Sequence, residues 1–190
     1  TVTVAKGGTN LTSFTAGDIL YATGSTTLAK LPKGTASHVL TMNAGATAPE
    51  WAEAGGGGLL QFKQTLNGSS ISTSNSSFTA TGISLSITPA SASNKIFCMF
   101  NCLHYNSSGS SELTIYRTVS GGSATNIDQE MSRMNSDGSY DPMNTIFKLD
   151  SPNTTSAITY EVYHRVNTGG TSGIHGQEAT SVFIVQEIGV

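Results

Sequence analysis

Several short segments of the sequence set aromatic rings beside amide and carboxylate groups, a chemistry that suits carbohydrate. A ring can stack on the apolar face of a sugar while neighbouring amides and carboxylates hydrogen-bond its hydroxyls. The alternative is that these segments are only polar, adaptable loops. The candidate contact residues are Asn67, Ser69, Tyr105, Asn106, Tyr140, Asp141, His175, Gln177 and Glu178.

Enzymatic chemistry has little support in the sequence. It contains no GxSxG elbow, no HExxH pair and no P-loop, the motifs that build a nucleophile, a metal-bound water or a phosphate cradle. The acidic residues Asp128, Glu130, Asp137 and Asp141 lie in a turn-rich region with no base or nucleophile beside them. We therefore expect no enzymatic activity and no cofactor.

The two cysteines are predicted to be free, buried thiols. Cys98 and Cys102 are four residues apart in a segment of strand character, which places both on one face about 13 Å apart. A disulfide requires Cα atoms within about 7 Å. No ligand-rich motif accompanies them, so a metal site is not expected either.

The four histidines, His38, His104, His164 and His175, form no short paired ligand motif, so we expect no metal. The alternative is a three-fold axis that brings three copies of His104 or His175 around a structural ion. His164 lies on the apolar side of its strand, which predicts a hydrogen-bonded core histidine.

Composition limits the partners. Only 11% of the residues are charged, against about 25% in ordinary domains, and the net charge is −3. Because there is no Lys/Arg cluster, nucleic acid and anionic membrane surfaces are not expected partners. No apolar run approaches the roughly 20 residues that cross a bilayer, so we expect no membrane insertion.

The elements that must position these residues are predicted to be strands, since alternation with period two dominates from residue 59 onward. We expect an all-β, antiparallel, jelly-roll-like sandwich. If its strands run up and down, the loops 67–77, 106–111, 135–142 and 167–180 share one end, and the loops 89–94, 120–125 and 150–156 share the other. The predicted strands are 60–66, 83–88, 95–105, 112–119, 126–134, 143–149, 157–166 and 181–188.

The strand predicted over 95–105 is apolar on both faces. Ile96, Cys98, Phe100 and Cys102 alternate with a second apolar set. One face can enter the core of the sandwich, and the other needs a further cover. We expect this cover to be a neighbouring subunit, the alternative being another sheet. The residues predicted to meet the neighbour are Phe97, Met99 and Leu103.

The first 54 residues are predicted to form a slender β shaft that several chains share. Their apolar residues come in twos and threes between turn residues, too few for a private core. Residues 55–58 form a glycine hinge, and residues 59–190 form the head. The shaft residues predicted to contact other subunits are Leu20, Tyr21, Val39, Leu40 and Trp51.

Much of the chain resembles tail fibres of tailed bacteriophages. In the shaft, the resemblance is carried by GGTNLTS (7–13), AGDILYA (16–22), GTASHVLT (34–41) and APEW (48–51). In the head, it is carried by ITPASASNKI (87–96), DSPNTTSAITY (150–160) and VQEI (185–188). Such fibres are homotrimers on the virion exterior, so the resemblance implies an intertwined trimeric shaft that carries three heads.

The same resemblance implies partners. We expect other virion tail proteins at the N-terminal end and a host surface glycan or outer-membrane protein at the head. A structural virion role is the first alternative, as a head fibre, decoration or collar whisker. A trimeric bacterial surface or spore-coat module of C1q/TNF-like shape is the second. Thr1 already lies within the shaft pattern, and we expect a longer parent protein.

Overall fold

The computed structural model describes residues 11–53, 58–136, 142–175 and 180–190. The chain divides into two compact units, Thr1–Gly55 and Gly56–Val190. All regular secondary structure in the described part is β, which confirms the all-β prediction. None of the described residues lies in a helix that could cross a membrane.

The first unit consists of two hairpins. Strand β1 (Ile19–Ala22) pairs with β2 (Leu28–Leu31), and β3 (His38–Met42) pairs with β4 (Pro49–Glu53), both antiparallel. No residue between 11 and 53 is buried in the isolated chain. Since burial of apolar surface is the main driving force for folding, residues 11–53 form no core of their own in one chain.

The second unit, the head, packs two antiparallel sheets. One sheet contains β5 (Leu59–Asn67), β6 (Ile71–Thr73), β8 (Lys95–Asn106), β12 (Met143–Asp150), β14 (Ser172–His175) and β15 (Ser181–Ile188). The other contains β7 (Thr79–Ile87), β9 (Gly109–Val119), β10 (Thr125–Asn126), β11 (Ser132–Ser136) and β13 (Ile158–Thr168).

Each sheet reduces to four strand positions. Strands β14 and β15 pair with successive stretches of one edge of β8, and β6 and β5 pair with them in turn. Strand β12 occupies the other edge of β8. The first sheet therefore has the order β5/β6, β15/β14, β8, β12, and the second has the order β10/β11, β9, β13, β7. Successive strands exchange between the sheets as in a jelly roll.

The core lies between the sheets and follows the predicted alternation. Along β8 the residues alternate between buried and half-buried, with Ile96, Cys98, Phe100 and Cys102 inside. Both cysteines are free and buried, as predicted. Burial raises the pKa of the Cys102 thiol to about 12, so this group is an inert apolar filler.

Two local predictions about the strands were wrong. The strand predicted over 126–134 is interrupted, because the Asn126 side chain accepts from the Asp128 amide and donates to the Gln129 carbonyl, which makes a turn. Strands β6 and β14 were predicted as loops. Their Ser- and Gly-rich sequences become strands because an edge of β8 is available to pair with them.

The register confirms which loops share an end of the sandwich. Asn67 at the end of β5 pairs with Ser181, and Gly109 at the start of β9 pairs with Ser136. Strand β6 continues this edge to Thr73, which is level with Ser172 and Asn106, so β6, β8, β11 and β13 end together, at the end opposite Leu59. We call this the distal end of the head.

Candidate functional site

The distal end brings two of the predicted contact residues together. Tyr105 lies on the outer side of β8, and His175 ends the neighbouring strand β14. Their rings lie 4.5 Å apart, centroid to centroid, with planes tilted by 34°. Both are half-buried, which leaves part of each ring open to a ligand. The pair combines aromatic surface with ring nitrogens and a phenol hydroxyl, groups that can contact carbohydrate.

A glycine holds this ring pair in place. Gly173 lies directly opposite Tyr105 in the β14–β8 ladder, and the Tyr105 ring covers its Cα. A Cβ on residue 173 would stand 2.0 Å from the Tyr105 ring. Only glycine allows the ring to lie flat there.

We expect Gly173→Ala to displace the Tyr105 ring and break its contact with His175. The ring is the far end of a rotatable side chain, so we expect the head to lose no more than about 1–2 kcal/mol of unfolding free energy. NMR shifts of the His175 ring report the contact, and urea unfolding reports stability. Unchanged His175 shifts would contradict this role of Gly173.

Three other predicted residues have turn-building roles. Asn106 is fully buried, its amide donates to the Gly169 carbonyl, and its oxygen accepts from the Ser108 amide. It cannot reach a ligand, and we remove it from the contact set. Asn67 donates to the Ser69 carbonyl at 2.6 Å, while Ser69 itself is exposed. The remaining predicted contact residues, Tyr140, Asp141, Gln177 and Glu178, lie outside the described residues.

A buried polar network sits inside the distal half of the sandwich. Ser172 Oγ lies 3.2 Å from both His104 Nε2 and His164 Nδ1, and Ser111 Oγ lies 3.1 Å from His104 Nε2. His104 Nδ1 has no partner among the described residues. Both imidazoles are almost fully buried. Burial, with a smaller effect of His164, lowers the pKa of His104 to about 3, and burial lowers that of His164 to about 4.

These positions settle two predictions about histidine. His164 is a hydrogen-bonded core residue, as predicted. The alternative of three His104 copies around an ion is wrong, because His104 faces the inside of its own sandwich. In the described part of the chain, no group of three or more His, Cys, Asp or Glu side chains could hold a metal ion.

The outer face of the six-stranded sheet is apolar and uncovered in the isolated chain. Phe97, Met99 and Leu103 lie there, half-buried. The neighbouring strands β12, β15 and β5 present further apolar side chains on the same face. Among these, Phe147 is 66% exposed and Leu66 is 60% exposed. Those that sequence reasoning missed are Phe62, Leu66, Val182, Ile184, Met143, Phe147 and Leu149. We call this the apolar face.

The apolar face contains a cleft of about 580 Å³ near the end of the head that holds Leu59, which we call the proximal end. Phe97, Phe147, Leu149 and Ile188 line it, with the ion pair between Lys148 and Asp128 on its rim at 2.8 Å. The rings of Phe97 and Phe147 are 6.3 Å apart. Contiguous exposed apolar surface of this kind makes the face a candidate interaction site.

The shaft residues predicted to meet other subunits are also open. Leu20, Val39 and Leu40 are 42–49% exposed, and Tyr21 is half-buried. Trp51 is partly used within its own unit, because its Nε1 donates to the Pro32 carbonyl at 2.8 Å and its ring lies against Gly34. Its remaining surface is available to a neighbour.

Fold and surfaces together define an all-β jelly-roll sandwich with one uncovered apolar face and a ring pair at its distal end. No protein-family model and no curated protein matches the sequence. Solved structures with a similar fold include a chain of infectious bursal disease virus, Gt strain, at 10% identity and a TM-score of 0.41. The match covers 90% of this chain and 51% of that one.

Two further similar structures are a TNF protein and a phage tailspike domain. Eiger TNF from S. frugiperda is 10% identical, with a TM-score of 0.31. This match covers 62% of this chain and 91% of the TNF chain. The enzymatically active domain of tailspike protein 4 from bacteriophage CBA120 is 10% identical, with a TM-score of 0.33. This match covers 70% of this chain and 20% of the tailspike chain. The chain spans about half the length of the bursal disease virus chains it matches.

Proposed function

We propose that this protein is a homotrimeric, non-enzymatic fibre on the outside of a phage virion, and that its distal end attaches the particle to the host surface. The observation that carries the proposal is that a single chain leaves a large apolar surface uncovered. Within residues 11–53 of the first unit no residue is buried, and the head leaves one sheet face open. Both features are removed if copies of the chain assemble.

A three-fold assembly fits this surface better than an open one. A closed cyclic trimer hides three apolar faces around its axis and leaves no repeating sticky edge. The apolar face bears few charges, so little desolvation cost opposes its burial. The sequence resemblance of both shaft and head to tail fibres supports the same number of subunits.

The strand directions in the head support attachment at the distal end. The head begins at Leu59, and the Tyr105–His175 pair lies at the opposite end of the sandwich. In a trimer joined through the shaft, three ring pairs would be presented together. Three weak contacts on one stem gain affinity through their effective concentration, which suits a repetitive cell surface.

We expect the purified full-length chain to compete with virions that carry it for adsorption to host cells. The Tyr105→Ala/His175→Ala double variant should compete at least about tenfold less well, because it removes the central rings of the contact. Thr155→Ala, an exposed change at the proximal end, is the matched control. Circular dichroism and sedimentation equilibrium verify folding and mass.

Each outcome of this experiment decides a separate part of the proposal. Full competition by the double variant would place the contact elsewhere. No competition by the wild-type trimer would favour the structural alternative, a head fibre, decoration or collar whisker. A monomeric wild-type protein at micromolar concentration would overturn the assembly on which the proposal depends.

A further inference from the structure

The outer face of the second sheet carries an aromatic and ionic cluster that the proposed function does not use. Along β13 the residues alternate, with Tyr160, Val162 and His164 buried and the intervening residues partly exposed. The rest of this face is mainly hydroxyl-bearing, with Ser84, Ser86, Thr118 and Thr159. The exceptions, which we call the flank cluster, are Phe78, Tyr116, Glu161, Tyr163 and Arg165.

The rings of the flank cluster form a continuous contact. Tyr116 and Tyr163 stack with centroids 4.0 Å apart and planes 24° apart. Phe78 meets Tyr116 edge-on at 6.1 Å, and the Arg165 guanidinium lies 4.4 Å from the centre of the Phe78 ring. These contacts fix the rings and leave them half-buried, and fixed rings lower the entropy cost of ligand binding.

A buried carboxylate fixes the guanidinium. Glu112 is 0% exposed and accepts from Arg165 Nε at 2.7 Å and from Arg133 Nε and Nη2 at 3.0 and 2.8 Å. Arg133 also pairs with Glu130 at 2.9 Å. With Glu161 nearby, two guanidinium groups are matched by three carboxylates. The site is therefore not a trap for anions.

Hydrogen-bonding groups remain open around the rings. Glu161 uses Oε1 to accept from the Gly82 amide at 3.1 Å. Its second oxygen and the phenol hydroxyls of Tyr116 and Tyr163 have no hydrogen-bond partner within the described ranges. Acceptors and hydroxyls beside a fixed aromatic surface match the alternating apolar and hydroxyl faces of a hexose.

We propose that the flank cluster binds a neutral hexose or N-acetylhexosamine unit of an oligosaccharide, with the sugar ring against the Tyr116–Tyr163 pair and a hydroxyl on Glu161. Uncharged sugar is preferred because the carboxylates repel anionic sugars and the arginines are already paired. This site goes beyond the proposed function, whose contacts lie at the distal end. It also stays open in the trimer, because the two outer faces of a sandwich point in opposite directions.

Maltohexaose, chitohexaose and hexagalacturonic acid are suitable probes, titrated against the full-length protein and followed by saturation-transfer NMR. We expect at least one neutral hexamer to bind and the acidic hexamer to bind more weakly. Tyr163→Ala should lower the affinity at least about tenfold. Thr155→Ala, an exposed change that lies outside both proposed sites, should leave it unchanged.

The variants separate this inference from the proposed function. Loss of sugar binding in Tyr105→Ala but not in Tyr163→Ala would overturn the flank site while supporting the distal one. Absence of binding by both neutral hexamers, or a preference for the acidic one, would also overturn the flank site. Glu161→Gln provides a second test should Tyr163→Ala unfold, and we expect it to weaken binding at least about threefold with folding intact.

Discussion

Acidification from pH 7 to pH 5 is expected to lower the unfolding free energy of the head by about 4 kcal/mol. In the unfolded chain both imidazoles titrate near pH 6.5, whereas in the folded head the pKa of His104 is about 3 and that of His164 about 4. Protons therefore bind the unfolded chain first as the pH falls. Each residue contributes about 2 kcal/mol at pH 5, and the loss begins below pH 6.5.

The structural cause is the shared network at Ser172. A proton on either imidazole would place a buried charge beside a hydroxyl and a second histidine, with no carboxylate in the network to compensate it.

Carboxylates affect stability in a different pH range. The pKa of the Glu187 carboxyl is lowered from 4.5. Burial acts to raise it, but hydrogen bonds from Asn94, the Ala90 amide and Gln61 to the carboxylate outweigh burial. The stability that the Glu187 carboxylate contributes is therefore lost only below about pH 4.5.

Urea unfolding at fixed protein concentration between pH 5 and pH 7.5 measures this effect, since subunit association also depends on concentration. In His104→Gln/His164→Gln the difference between pH 7 and pH 5 should fall below about 1 kcal/mol, whatever the absolute stability of the variant. Each single variant should retain about half of the difference in unfolding free energy between pH 7 and pH 5. If the double variant kept the full wild-type difference, the acid sensitivity would belong to other groups.

Phe147→Glu is expected to dissociate the proposed trimer. Phe147 is 66% exposed on the edge strand β12 of the apolar face, where assembly would bury it. A carboxylate buried there without a partner costs several kcal/mol per subunit, which raises the concentration for half-dissociation at least about 100-fold. The head itself should keep its stability, because the side chain makes no part of its core.

Sedimentation equilibrium of the full-length chain measures this dissociation. Ser86→Glu is the matched control, since it adds the same charge to an exposed position on the opposite outer face, where its strand partner is Thr159. If the shaft alone maintains the trimer, Leu40→Glu combined with Phe147→Glu should produce monomers. An unaltered trimer in the combined variant would exclude the apolar face and the first unit as the interface.

Much of the head could be predicted from the sequence, because each strand covers a core on one side. Strand β15 is predicted to the residue, and β8 and β12 to within one residue. The alternation of His164 with Tyr163 on β13 also predicts which of them is buried. The free thiols follow from the same pattern, since spacing along a strand fixes their distance.

The remaining features depend on neighbours that are distant in sequence. Ser172 and Gly173 have low strand propensity and pair because β8 has an open edge. Asn106 follows a tyrosine, as a contact residue would, yet a turn occupies its amide. The flank cluster joins Phe78, Tyr116 and Tyr163 from three strands, and no local pattern connects them. Even the apolar face was predicted only through the residues of one strand.

The pairing of the first and last strands of the head has a mechanical consequence. Strand β5 is antiparallel to β15 from Leu59 to Asn67, and the Gly58 carbonyl accepts from the Gly189 amide. A pull that enters at Gly58 while the distal end is anchored acts along β5. It would load the rungs of this ladder in shear, all together, and would not peel them one at a time. A head built this way resists tension applied through Gly58.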